Sequence, residues 1–291
     1  MTIRAEPMQR IFVGDTEIEY WERGQGEPVV FVHAGVFSDW FLPVSKSPAL
    51  EGFRVIRVRR AGYGTEGPPQ HLTLGDHARH MGALAHHLGL FRLHWVGHSS
   101  SCQICLELSI DRPDLVQTLV LLEPAAGGGF TVPASEDLGR DFFGPAMAAF
   151  GAGELETAFD TFLRGVGGDN YRAVLEERLG REGYDQAVRE SAFFFRDELA
   201  AVFESKFGAA EAGRVQSPVL VVEGGEQPAR LVPLAHQITE RSIALLPGAD
   251  VMALEGVSHL MPLQDPDAVG RVIATFARQH AITPSQSGSS R

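Results

Sequence analysis

Apolar positions along the chain gather into short runs at Gln9 to Val13, Glu17 to Trp21, Val29 to Val32, Phe53 to Val58, Leu93 to Val96, Leu119 to Leu122, Val219 to Val222 and Val251 to Leu254. The first two alternate apolar with polar residues, as half-buried strands do. The later ones are nearly continuous, as strands covered on both faces are. Helix-period patterns fall between the later runs: Leu74 to Leu88 behind a Thr73-x-x-Asp76 capping box, Ser101 to Ile110, Leu231 to Thr239, and Pro266 to His280. An opening hairpin followed by alternating strand and helix predicts an α/β fold, a mostly parallel eight-stranded sheet flanked by helices.

The alternation stops between Ala125 and Val215. Gly127-Gly128-Gly129 opens this stretch, which then carries helical patterns rich in phenylalanine (Phe142, Phe143, Phe159, Phe162, Phe193, Phe194, Phe195, Phe203) and no strand pattern. The economical reading is a helical cap inserted between strands 6 and 7, over the sheet edge where open α/β sheets place their sites. Residues 1–124 and 216–281 then form the core and 125–215 the cap, with 282–291 a polar, disordered tail. Most of the phenylalanines are expected to form the cap's own core, with the remainder lining an apolar pocket.

With 291 residues and 44% hydrophobic content the chain can bury one large core plus such an insertion. Its formal net charge of -12 disfavours nucleic acid or an anionic membrane surface as partner, since either demands clustered Lys and Arg. The N-terminal stretch Met1 to Pro7 has no apolar signal-peptide core, and no apolar run reaches membrane-spanning length, so a cytoplasmic location is expected. Cys102 and Cys105, spaced C-x-x-C, lack the second ligand pair or strand context of a zinc or redox site and read as two small buried hydrophobes facing the sheet. His77 and His80, like His86 and His87, lie on a predicted helix without a carboxylate cluster and read as a solvated face.

The chemistry is concentrated at Ser99, in the run Leu93-His94-Trp95-Val96-Gly97-His98-Ser99-Ser100-Ser101. An apolar strand ends here in small-x-Ser-x-small and a helix follows. This is the pattern of a nucleophile elbow, whose sharp turn admits only small residues two positions either side, here Gly97 and Ser101. The helix start aims free N–H groups at the site, so Ser100 N–H is a candidate oxyanion donor.

With elbow, strand order and insertion together, the chain resembles the α/β-hydrolase superfamily over roughly Gln9 to Ala281. Val29-Val30-Phe31-Val32-His33-Ala34-Gly35 is similar to the family's third strand and His-Gly turn, and that resemblance makes Gly35 N–H the second oxyanion donor. Ala34 stands where the family usually has Gly, which leaves Val36 as the alternative donor. Leu254-Glu255-Gly256-Val257-Ser258-His259, followed by Asp265-Pro266, resembles the catalytic-histidine loop and makes His259 the general base. The Gly62-Tyr63-Gly64-Thr65-Glu66-Gly67 stretch matches a dinucleotide motif literally. Pro68-Pro69 follows it instead of a helix, and it resembles the family's loop after strand four. Phosphate-loop and H-x-H-x-D-H metal signatures are absent from the sequence, and no cofactor is expected.

The acid departs from the commoner pattern. Gln227 occupies the aspartate position after the seventh strand, in Gly224-Gly225-Glu226-Gln227-Pro228, and an amide cannot stabilise an imidazolium. Glu123, closing Leu119-Val120-Leu121-Leu122-Glu123, would be costly to desolvate without a partner, and this favours it over Glu226. A glutamate after strand six without an aspartate after strand seven resembles zearalenone-type lactonases and some dehalogenases. Ser99 excludes the latter's aspartate nucleophile. The expected protein is a serine hydrolase with Ser99, His259 and Glu123 as triad, cleaving a small-molecule carboxylic ester or lactone with an apolar body. A carbon–carbon hydrolase acting on a diketone and a non-catalytic receptor of the same fold stay open as alternatives, as does a homodimer.

Overall fold

The computed structural model describes residues 7–64 and 71–282. Met1–Glu6, the second half of the glycine motif from Thr65, and the tail beyond Ile282 lie outside the described residues.

The eight apolar runs form one sheet in the order β1-β2-β4-β3-β5-β6-β7-β8. β1 (Gln9–Val13) and β2 (Thr16–Arg23) make a hairpin across Gly14-Asp15, where Gly14 takes a φ of +59° that a tight turn requires. β2 pairs antiparallel with β4 (Phe53–Arg59). Every pairing from there on is parallel, through β3 (Glu27–Val32), β5 (Leu93–His98), β6 (Val116–Leu122), β7 (Val219–Gly224) and β8 (Asp250–Leu254). Along β3, Val29 and Phe31 join one core cluster while Val30 and Val32 join the other, which is why the run reads as continuously apolar.

Several strands outrun their apolar signal because polar side chains are satisfied inside the sheet. His94, buried in β5, bonds Thr118 Oγ1 at 2.9 Å and Glu27 Oε2 at 3.0 Å. α1 (Leu74–His87) begins at the expected capping box, with Asp76 N–H donating to Thr73 Oγ1 and Thr73 N–H to Asp76 Oδ2. The solvated face expected for its histidines is half wrong. His86 and His87 are exposed, but His77 and His80 are only 1% and 7% exposed. They fall on the buried stripe with Leu74, Ala78, Met81 and Leu84, at the i, i+3, i+4 spacing that places a residue inward whatever its polarity. Burial pushes both imidazoles below their ordinary pKa, furthest for His77.

α2 (Ser100–Asp111) packs on α1 and buries both cysteines, whose thiols burial pushes upward. Among the described residues no cluster of side chains has metal-binding composition, and no helix is long and apolar enough to cross a membrane.

Between β6 and β7 the chain is helical: α3 (Ala134–Leu138), α4 (Gly144–Gly151), α5 (Leu155–Gly167), α6 (Tyr171–Phe193), α7 (Leu199–Glu204) and α8 (Ala209–Ala212). π-helical turns join α3 to α4 (Gly139–Phe143) and α6 to α7 (Phe194–Glu198). α9 (Val232–Leu245) follows β7 and runs past the expected end at Thr239. After β8 come α10 (Met261–Gln264) and α11 (Pro266–Gln279).

Candidate active site

Ser99 joins β5 to α2 at φ 54°, ψ −121°, a backbone conformation that costs a non-glycine residue of the order of 1–3 kcal/mol. The surrounding structure holds it there. Ser99 N–H donates to Leu122 O (2.9 Å), and Ser99 O accepts from Cys102 N–H (3.1 Å) and Ala125 N–H (3.3 Å). The turn is so tight that a Cβ on Gly97 would lie 2.7 Å from Ser101 O. The serine two residues after Ser99 also pins the elbow to the sheet, its hydroxyl accepting from His98 N–H (2.8 Å) and donating to Val32 O (2.6 Å).

Glu123 leaves β6 at a φ of 49°, so strain marks this residue as well as the elbow. Its N–H stays in the sheet on Val222 O (2.9 Å), while the side chain turns to the carboxyl edge. One carboxylate oxygen, Oε1, accepts from Gly224 N–H (2.5 Å) and Gln227 Nε2 (2.7 Å). The other, Oε2, lies 3.2 Å from His259 Nδ1. With Nδ1 as the donor, Nε2 of the same ring is the nitrogen left to accept a proton. Glu226, the alternative acid, is exposed, and its backbone N–H bonds Val257 O. The glutamine at the usual aspartate place thus orients a carboxylate supplied from the neighbouring strand.

His259 sits after β8 against two aromatic partners that sequence patterns did not single out. His98 Nε2 reaches His259 O at 3.0 Å, and Trp40 stacks edge-on to both rings at 4.8 and 6.4 Å between centroids. Burial, reinforced by His259, pushes His98 well below its ordinary pKa, so it is a neutral support that donates to the His259 carbonyl.

Ser99, Ser100, Glu123 and His259 line one cleft. Its walls are apolar. The insertion supplies Leu138, Phe143, Phe162, Phe194, Val202 and Phe203, and α9 supplies Leu234, Ala235 and Ile238. The eight phenylalanines therefore divide. Phe143, Phe162, Phe194 and Phe203 face the cleft. Phe159 packs on Tyr171 and Tyr184, Phe195 on Phe150, Phe193 on Tyr63, and Phe142 beneath the Arg230 guanidinium. Within the described part of the glycine motif, Gly62 serves packing: at its φ of 91° a Cβ would lie 2.3 Å from the Phe193 ring.

The turn after β3 holds a further finding. Gly35 N–H donates to the Ser100 hydroxyl at 2.9 Å, and that hydroxyl donates in turn to Glu198 Oε1 at 2.8 Å. Val36, at a φ of 77°, has an N–H without an acceptor among the described residues. Neither the Ser100 side chain nor Glu198 had a sequence signal, since a contact spanning 98 positions leaves no local pattern.

Residues 29–272 match the model of the alpha/beta hydrolase family, and the chain belongs to that family. It is 26% identical over 94% of its length to the dihydrolipoyllysine-residue acetyltransferase component of the acetoin cleaving system of Pseudomonas putida, spanning 70% of that protein. Among solved structures it resembles the enol-lactonase of Burkholderia xenovorans, with a TM-score of 0.74 at 18% identity, covering 93% of this chain and all of that one. It also resembles a protein described as an N-acyl homoserine lactone degrading enzyme, with a TM-score of 0.66 at 23% identity over 92% of this chain and all of that one. At these identities the structural likeness speaks for the fold.

Proposed function

We propose that this chain is a serine hydrolase acting on a carboxylic ester or lactone with an apolar body, through Ser99, His259 and Glu123. One observation carries the reading: a strained serine, and an imidazole whose Nδ1 lies 3.2 Å from a buried-side carboxylate, open together into one apolar cleft. Ser99 Oγ attacks the carbonyl carbon while His259 Nε2 takes its proton. Glu123 stabilises the imidazolium that forms. The oxyanion is bound by Ser100 N–H and, because Gly35 N–H is already engaged by the Ser100 hydroxyl, by Val36 N–H. Collapse breaks the bond to the leaving oxygen, which takes the proton from His259. A water deprotonated by His259 then cleaves the acyl–Ser99 ester, releasing the carboxylic acid and restoring the hydroxyl.

The apolar walls favour a substrate whose flanks gain from leaving water. At about 25 cal/mol per Å² of buried apolar area, an acyl chain of several methylenes contributes a few kcal/mol of binding. The insertion acts as a cap in this reading, and its phenylalanines set substrate preference. Turnover of p-nitrophenyl esters and a fluorophosphonate mass shift on Ser99 are the expected results. A chain that binds such esters without turnover is a receptor, and the hydrolase reading then fails.

A further inference from the structure

A second buried carboxylate lies behind the cleft and belongs to the insertion. Glu198 ends the π-helical turn Phe194–Glu198 and is 1% exposed. Its carboxylate accepts from Arg60 Nη2 (2.9 and 3.0 Å), from Ser100 Oγ (2.8 Å) and from the Tyr63 hydroxyl. All three donors belong to the core and none to the insertion. Burial opposes the charge on Arg60, but the Glu198 carboxylate and Tyr63 together outweigh it and raise the guanidinium's pKa. Tyr63 is pushed well above its usual range by burial and by the same carboxylate.

These donors converge on one turn. Arg60 gives Nε to His33 O (3.1 Å) and Nη2 to Ala34 O (3.2 Å), and Ser100 Oγ takes Gly35 N–H. Gly35 O accepts from Trp40 Nε1 (2.9 Å) and Phe37 N–H (3.0 Å). With its neighbours committed, the Gly35–Val36 peptide plane is fixed and Val36 N–H is the donor left over. The insertion is pressed against this turn: a Cβ on Gly35 would lie 2.6 Å from the Phe194 ring and 3.3 Å from Glu198 Oε1. A second tie lies just beyond, where Ser38 N–H donates to Glu190 Oε2 of α6 at 2.6 Å.

We propose that Glu198 is a positioning residue which, through the Ser100 hydroxyl and the Arg60 guanidinium, sets the turn from His33 to Val36 so that Val36 N–H meets the oxyanion. The oxyanion hole is then complete only while the insertion is seated on the core. The chain Gly35 N–H to Ser100 O–H to Glu198 carboxylate is charge-assisted at one end, so each bond polarises the next. The proposal rests on the hydrolase reading, and its test separates the two.

Wild-type chain is first assayed with p-nitrophenyl butyrate and a fluorophosphonate. A chain neither active nor labelled overturns the hydrolase reading and this proposal with it. With an active wild type, kcat, KM and trifluoromethyl-ketone inhibition are compared for Ser100→Ala, Ser100→Thr, Glu198→Gln and the Ser100→Ala/Glu198→Gln pair. Ser100→Ala and Glu198→Gln should each lower kcat by about 10- to 100-fold, below the loss for deleting a donor outright. KM should stay within about threefold and inhibitor affinity fall with kcat. The pair should be no worse than its worse member, and the hydroxyl-bearing threonine should restore kcat. Multiplicative losses, an unchanged kcat in Ser100→Ala, or losses that follow only the unfolded fraction in thermal melts overturn the proposal. Ser100→Ala leaves Glu198 paired with Arg60 and Tyr63, so it decides the matter even where Glu198→Gln does not fold.

Discussion

The two sides of Ser99 solve opposite problems. On the β6–β8 side, Glu123 and His259 keep 10% and 15% of their side chains accessible, and the carboxylate's partner is a group that can change charge. On the β3 side, Arg60 and Glu198 are sealed at 0% and 1%, the partner is a guanidinium that stays charged, and the carboxylate serves three donors. In the proposed mechanism one side passes a proton and the other holds hydrogen-bond donors still. The same residue type, glutamate, takes either role according to what its neighbour can do with a proton.

The largest expected effect comes from removing the centre both sides serve. Ser99→Ala should lower turnover by at least about 10⁴-fold with an unchanged thermal midpoint, since the elbow already favours small residues. Steady-state assay with matched melts checks it, and retained activity breaks the comparison at its root. Next, Glu123→Gln should cost about two to four orders of magnitude in kcat, while Glu226→Gln, in an exposed loop, stays close to wild type. Equal losses from the two variants would mean that the carboxylate beside His259 has no privileged part in proton transfer.

Stability against pH sharpens the contrast further. His33 on the turn side, His98 beside His259 and His77 on the buried face of α1 are all held well below their ordinary pKa, foremost by burial. The unfolded chain takes up protons below about pH 6.5 that the folded chain refuses, so stability is full above that pH and falls as it drops. The slope is about 1.4 kcal/mol per pH unit for each such histidine. Urea midpoints between pH 7.5 and 5 should show it. His77, neither of whose ring nitrogens has a partner among the described residues, should give up its share of the slope in His77→Leu. The smallest effect belongs to the cleft wall: Phe203→Ala, at a residue 46% exposed, should shift preference among acyl lengths by a few-fold and leave acetate esters nearly unaffected. A uniform loss across esters would place that ring outside the substrate's path.

What could be read in the sequence divides along the same line. Strands and the elbow were legible because sheet burial imposes a period and a strained turn imposes residue size, both local demands. Glu123 could be weighed as a partner for His259 because a charge after four apolar residues demands one. Glu198 could not, since it lies in an amphipathic helical stretch where a glutamate is unremarkable, and only the folded insertion brings it to Ser100. His77 and His80 differ from the expected solvated face because helix spacing, and not polarity, decides which residues of α1 face inward. Phe143 and Phe159 looked alike until the insertion's own packing separated wall from core.

Glu123 is also the hinge at which the chain leaves the sheet for the insertion, with its N–H still in the ladder and its φ at 49°. The residue proposed to charge the imidazole is therefore part of the splice between scaffold and specificity element. A chimera that exchanges the insertion for another must make its junction downstream of Ala125, whose N–H bonds Ser99 O at 3.3 Å. A junction upstream replaces the proposed acid and loosens the elbow in one cut. Recombination is consequently constrained at both ends: the near end holds the proposed acid, and the far half of the insertion holds Glu198, on which Arg60 and Ser100 of the core depend.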